Sequence, residues 1–164
     1  MNKILVAYYS WTGHTAKIAE ALAQKLSADV EVIKDARPRV AGGWSYFMAA
    51  VQSLFRWRPA IAPSEINVSA YDLVILGCPV WAGQMAPPMR SYMAREHGRF
   101  RRIALFCTEG GAGGDKVLIS MAVHAGQSPM AWLVVTKPDL EGDAWQARVD
   151  AFIADIKAWG TRPD

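Results

Sequence analysis

Short apolar runs alternate with longer stretches of helical period along this chain, and that alternation restricts its fold more than any other feature. Lys3 to Tyr9 reads as a buried strand. His14 to Leu26 follows as a helix, with Ile18, Leu22 and Leu26 on one stripe. Val30 to Ile33 forms a short second strand. From Gly43 to Trp57 the apolar residues Trp44, Phe47, Met48, Val51, Leu54 and Phe55 again keep a helical period, which Pro59 and Pro63 end. Leu73 to Cys78 is nearly all apolar, as in a strand covered on both faces. A helix from about Pro87 to His97, a strand from Ile103 to Cys107, a helix from Asp115 to His124, a strand from Ala131 to Val135 and a helix from Ala144 to Trp159 complete the pattern.

Five strands alternating with five helices imply an α/β fold, a doubly wound three-layer sandwich around a parallel sheet. Such sheets bind ligands beyond the carboxyl ends of their strands. At 164 residues the chain is expected to form one domain, residues 1–164. Apolar residues make up 52% and charged residues 20%, enough for a core and too little charge for disorder. No run reaches the roughly 18 apolar residues of a membrane span, and the N-terminus lacks a signal-peptide pattern, so a cytoplasmic location is expected. The net charge of +3 falls short of the basic footprint of a nucleic-acid binder. Cys78 and Cys107 have neither CxxC nor zinc spacing and read as buried, reduced thiols. No metal site is expected.

The loops at the ligand edge carry the chemistry. After strand one comes Ser10-Trp11-Thr12-Gly13-His14-Thr15, rich in hydroxyls and running into a helix start. Unpaired N–H groups and the helix dipole there can hold a phosphate without a lysine or arginine. The plainer reading is an ordinary helix cap by Thr12. GxxxxGK[ST] and GxGxxG are both missing, against a P-loop NTPase or a dinucleotide fold. After strand three, Pro79-Val80-Trp81-Ala82-Gly83 puts a large aromatic where it could stack on a flat heterocycle, or simply plug the loop. After strand four, Thr108-Glu109-Gly110-Gly111-Ala112-Gly113-Gly114 is either shaped for backbone contact with a ligand or mobile. Asp115 can cap the helix that follows.

These three loops resemble those of the flavodoxin-like family, and the likeness covers nearly the whole chain. Ser10 to Thr15 is similar to the family's phosphate loop. Tyr71 to Gly83 is similar to its third strand and first flavin loop, and Thr108 to Asp115 to its second. The resemblance implies strand order 2-1-3-4-5 and one non-covalent FMN. Ser10, Trp11, Thr12, Gly13, His14 and Thr15 would hold its phosphate end. Pro79, Val80, Trp81 and Ala82 would cover one side of the ring, with backbone near Ala82 and Gly83 at the flavin N5. Thr108, Glu109, Gly110, Gly111, Ala112 and Gly113 would line the pyrimidine edge. The flavin would carry the chemistry, so no side chain is assigned a catalytic role.

Two features depart from electron-carrier flavodoxins. The second flavin loop has no aromatic, and the chain is basic rather than acidic. The implied function is electron transfer through FMN to a partner protein or a small acceptor. One alternative is an NAD(P)H-dependent quinone-type oxidoreductase, and another is a flavin-free interaction domain of the same fold. A monomer and a homodimer both remain open. Arg95, Arg99, Arg101 and Arg102 are placed at the amino edge of the sheet as a solvated rim, with Arg56 and Arg58 at the same edge. Arg37 and Arg39 are placed nearer the ligand edge.

Overall fold

The computed structural model describes residues 3–37 and 57–160. The expected helix from Gly43 to Trp57 therefore lies almost wholly outside the described residues, as do Arg39, Trp44, Tyr46 and Arg56.

In chain order the elements are β1 (Ile4–Tyr8), α1 (His14–Leu26), β2 (Asp29–Val32), a 3-10 turn (Val68–Ala70), β3 (Leu73–Trp81), β4 (Gln84–Met85) and α2 (Pro87–Arg95). Then come β5 (Ile103–Glu109), α3 (Gly114–Ala125), β6 (Trp132–Thr136), α4 (Lys137–Glu141) and α5 (Ala144–Gly160). The parallel strands run in the order β2-β1-β3-β5-β6, which is 2-1-3-4-5 counted over parallel strands alone. The fold is the doubly wound α/β sandwich expected from the alternation, with the strand order that the flavodoxin-like resemblance implies.

Strand alternation divides the apolar residues between two faces. Leu5, Ala7, Val74, Leu76, Cys78, Leu105 and Cys107 pack with Met89, Tyr92, Val117 and Met121, from α2 and α3. Val6, Tyr8, Ile75, Ala104 and Phe106 pack with Ile18 and Leu22 of α1 and with Val149, Phe152 and Ile156 of α5. Gly77 leaves room for Phe106: a Cβ at position 77 would stand 1.9 Å from the Phe106 ring.

Three features go beyond the sequence reading. β3 runs past Cys78 to Trp81 and then turns back as a short hairpin, pairing Val80 with Met85 and Trp81 with Gln84. Pro79 does not stop it. Alternation places the Pro79 nitrogen on the β1 side, where the ladder ends with Gly77. The second feature is α4, a one-turn helix directly after β6, started by Thr136 and Asp139 in a reciprocal cap. The third is Glu31 on β2, a carboxylate buried against α2. It accepts a 2.6 Å hydrogen bond from the Tyr92 hydroxyl, with Arg95 at 3.7 Å.

Of the arginines expected at the amino edge, Arg95, Arg99 and Arg101 form ion pairs, and Arg102 donates to the Asp72 carbonyl at 3.3 Å. Arg101 meets the Asp72 carboxylate at 3.2 Å, while Arg95 and Arg99 flank Glu96 at 2.8 and 2.6 Å. Arg37 follows β2 and is exposed.

Candidate flavin site

The helix start after β1 is not built as an ordinary side-chain cap. Its cap position is Gly13, with φ 92° and no side chain to offer. Thr12 is exposed, and Ser10 serves the first turn instead: its Oγ accepts the Ala16 N–H at 3.2 Å. The Lys17 N–H bonds the Gly13 carbonyl at 2.9 Å. Among the described residues, no acceptor engages the backbone N–H groups of His14 and Thr15. The lysine of the first α1 turn is engaged elsewhere. Lys17 Nζ donates to the Leu140 carbonyl at 3.4 Å and lies 4.8 Å from the Trp145 ring centre. Anion attraction at this corner comes from the helix end and hydroxyls.

The hairpin after β3 has a two-residue tip. Ala82 and Gly83 have φ of 49° and 67°, the paired positive values of a tight antiparallel turn. Ala82 is exposed, while Pro79, Val80, Trp81 and Gly83 are half-buried. The loop after β5 is closed on itself, because Glu109 Oε2 accepts the Gly114 N–H at 2.8 Å. That bond, rather than one from Asp115, serves the start of α3, whose cap position is Gly113. Gly110, Gly111 and Ala112 are exposed between them.

Each pair of loops is tied together. The first and second meet through Trp11 and Trp81, with ring centres 5.3 Å apart. The first and third meet through a buried 2.7 Å hydrogen bond between the Thr15 and Thr108 hydroxyls. The second and third meet backbone to backbone: a Cβ on Gly113 would lie 2.9 Å from Gly83 Cα. The segments singled out from sequence therefore surround one edge of the sheet. Beside them is open space, since a Cβ on Gly13, Gly83, Gly110 or Gly111 would touch nothing within 4 Å.

Two members of this corner were not singled out from sequence. Tyr9 is buried and packs edge-on to Trp81, ring centres 5.6 Å apart at 83°. Its hydroxyl donates to Asp35 Oδ2 at 2.9 Å. Both lie just past the carboxyl ends of β1 and β2, so position after a strand was the available signal. The Thr15 hydroxyl is spent on Thr108 inside the protein, which leaves Ser10 and Thr12 as the hydroxyls nearer the surface.

The Flavodoxin family model matches residues 3–132 of the sequence. The chain belongs to the flavodoxin family. A flavoprotein from Lactobacillus acidophilus NCFM, solved in complex with FMN, superposes with a TM-score of 0.72 at 25% identity, covering 89% of this chain and 99% of that one. Oxidised flavodoxin 2 from Bacillus cereus shares the fold, with a TM-score of 0.60 at 17% identity over 95% of this chain and 99% of that one. The NAD(P)H dehydrogenase (quinone) of Gluconacetobacter diazotrophicus is 29% identical over 141 residues, 83% of this chain and 65% of that protein. The chain spans less than two thirds of the length of the curated relatives it matches.

A separate groove of about 520 Å³ lies among Met130, Trp132, Asp155 and Trp159 and shares no residue with the three loops. Its Asp155 carboxylate would repel a phosphate. Among the described residues there is no cluster of three metal-ligating side chains, and no helix is long and apolar enough to cross a membrane.

Proposed function

We propose that this flavodoxin-family chain is one domain that binds FMN non-covalently at the corner formed by its three loops and acts in electron transfer. The observation that carries this reading is the pairwise joining of a bare helix start, an aromatic hairpin and a glycine-rich loop around open space. The fit is chemical as well as spatial. A phosphate dianion at the α1 start would meet the His14 and Thr15 N–H groups and the Ser10 and Thr12 hydroxyls. Such a helix end is worth about 0.3–1 kcal/mol when exposed and up to about 2 when partly buried.

The ring would lie between the Pro79–Gly83 hairpin and the Thr108–Gly113 loop. Trp81 offers aromatic surface, and the Ala82–Gly83 backbone would meet the flavin N5. Backbone N–H groups of Gly110 to Gly113 are suited to the polar pyrimidine edge. Bound FMN supplies the redox chemistry, taking up and releasing electrons; the protein orients it and sets the polarity around it.

A second reading, reduction of a quinone-type acceptor by NAD(P)H, is favoured by the curated relatives named NAD(P)H dehydrogenase (quinone). The exposed, aromatic-free Gly110–Ala112 stretch is open enough for a small acceptor to approach. The test is titration of the apoprotein with FMN, followed by turnover assays on the loaded protein. Quenching of FMN fluorescence at one equivalent is expected. Consumption of NAD(P)H with a quinone alone supports the oxidoreductase, whereas turnover only with an added reductase supports the carrier. No quenching at a tenfold excess of FMN would sink both.

A further inference from the structure

The second and third loops touch through Gly83 and Gly113, neither of which belongs to the phosphate loop. Gly83 is the second residue of the hairpin tip, and Gly113 is the cap of α3. Both have left-handed backbones, with φ of 67° and 115°. A Cβ on Gly113 would stand 2.9 Å from Gly83 Cα, 3.5 Å from its carbonyl carbon and 3.5 Å from its carbonyl oxygen. All three are backbone atoms, so no rotamer change relieves the clash, and the tip would have to move. The tip cannot easily absorb the displacement internally, because β4 pairs its two residues to β3 at Val80 and Trp81. At its other end, Gly113 is fixed by the Val117 N–H on its carbonyl at 3.0 Å and by the Glu109–Gly114 bond next door.

We propose that Gly113 is a positioning residue for redox poise: by letting the Ala82–Gly83 tip rest directly on the start of α3, it sets where the tip backbone meets the flavin. This rests on the FMN reading above. The chemistry makes it specific. Oxidised flavin presents N5 as a hydrogen-bond acceptor, and two-electron-reduced flavin presents it as an N–H donor. A backbone group at N5 therefore contributes differently to the two states, and moving the tip changes the ratio of the two affinities. The phosphate is the same in both states and cancels from that ratio.

The experiment compares Gly113→Asn, Gly98→Asn and Gly13→Asn. Asn tolerates a left-handed backbone better than most residues, and its Cβ still meets Gly83. Gly98 has φ 75° and a Cβ there would meet nothing within 4 Å, so it isolates backbone strain away from the three loops. For each folded variant, the dissociation constant of oxidised FMN is measured by fluorescence. The midpoint potential of bound against free FMN then gives the affinity for the reduced form. Gly113→Asn is expected to change the oxidised-to-reduced affinity ratio by about fivefold, the size of one ordinary hydrogen bond. Gly98→Asn should leave the ratio unchanged. Gly13→Asn should weaken both states by the same factor. Gly113→Ala keeps the test open if Gly113→Asn fails to fold, since its smaller side chain brings the same Cβ against Gly83 and should also change the ratio. An unchanged ratio in a folded Gly113→Asn or Gly113→Ala protein that binds FMN overturns the inference alone. A wild-type protein that binds neither redox state overturns the FMN reading and this inference with it.

Discussion

Trp81 is held at the end of β3 by two neighbouring rings, Tyr9 and Trp11, both packed at steep angles to it. That bracing fixes the indole before any ligand arrives, so little conformational entropy remains to be lost on stacking. Trp81→Ala should weaken FMN binding by about 1–3 kcal/mol, the scale of a lost aromatic contact. Fluorescence titration measures this, and urea unfolding of the same variant separates lost stacking from lost fold. An affinity per folded molecule equal to wild type would remove Trp81 from the site. A different residue answers for stability. Tyr92 donates its hydroxyl to the buried Glu31 carboxylate at 2.6 Å, and the neighbouring carboxylate and burial together push the phenol's pKa well above its ordinary value, burial first. Tyr92→Phe keeps the ring and removes the donor. The expected loss is about 1.5–3 kcal/mol, as for a hydrogen bond to a charged partner, read from the urea midpoint. A loss no larger than that of an exposed Tyr→Phe change would mean that water reaches Glu31.

At the scale of elements, α4 turns the chain from β6 into α5 through a cap that works in both directions. Asp139 Oδ2 accepts the Thr136 N–H at 2.9 Å and the Thr136 hydroxyl at 2.7 Å, while Arg148 of α5 meets Oδ1 at 3.1 Å. The Thr136 backbone bond, then its hydroxyl and Arg148, hold the Asp139 pKa below its ordinary 3.8. A carboxylate depressed in the folded state stabilises the fold above its unfolded pKa, and that contribution is lost as pH falls through the folded value. Acid unfolding should therefore steepen below pH 3.8, and Asp139→Asn should flatten that part of the curve while lowering stability at neutral pH. An unchanged acid limb in the variant would mean that the cap opens before the carboxylate titrates. This element was not legible in sequence, because Lys137–Glu141 is too short for a helical period to register. The hairpin was missed for another reason: Pro79 reads as a strand stop unless its register against β1 is known. The longer strands were legible because burial on both faces leaves them almost entirely apolar. The three loops were legible as candidates because each follows a strand. Their mutual contacts were not, since Thr15–Thr108 and Gly83–Gly113 join positions far apart in the chain and depend on strand order.

Across the whole molecule, the two thiols report on how the sheet opens. Cys78 and Cys107 sit in register on the central strands β3 and β5, and both are fully buried. Burial pushes the Cys78 thiol up to about 12 and raises the Cys107 thiol as well. The raised thiol leaves little thiolate at pH 8, so native-state alkylation is suppressed by chemistry as well as by access. Labelling should proceed only through opening. Because the pair spans the middle of the sheet, with α3 covering both through Met121 and Gly114, opening that frees one should free the other. Mass spectrometry during slow alkylation should therefore find unlabelled and doubly labelled protein with little singly labelled species. Accumulation of protein labelled at Cys107 alone would place a weaker cooperative unit at the α3 side of the sheet. Adding FMN extends the same measurement to function. A ligand bound only by the folded form lowers the open population by the factor 1 + [L]/Kd, so FMN at about 100 times its Kd should slow labelling of both cysteines about 100-fold, or about 2.7 kcal/mol. The loops that would hold the ring grow directly from Cys78–Pro79 and Cys107–Thr108, so both thiols should slow equally. Unequal protection would mean that FMN stabilises one loop without tying the two strands together.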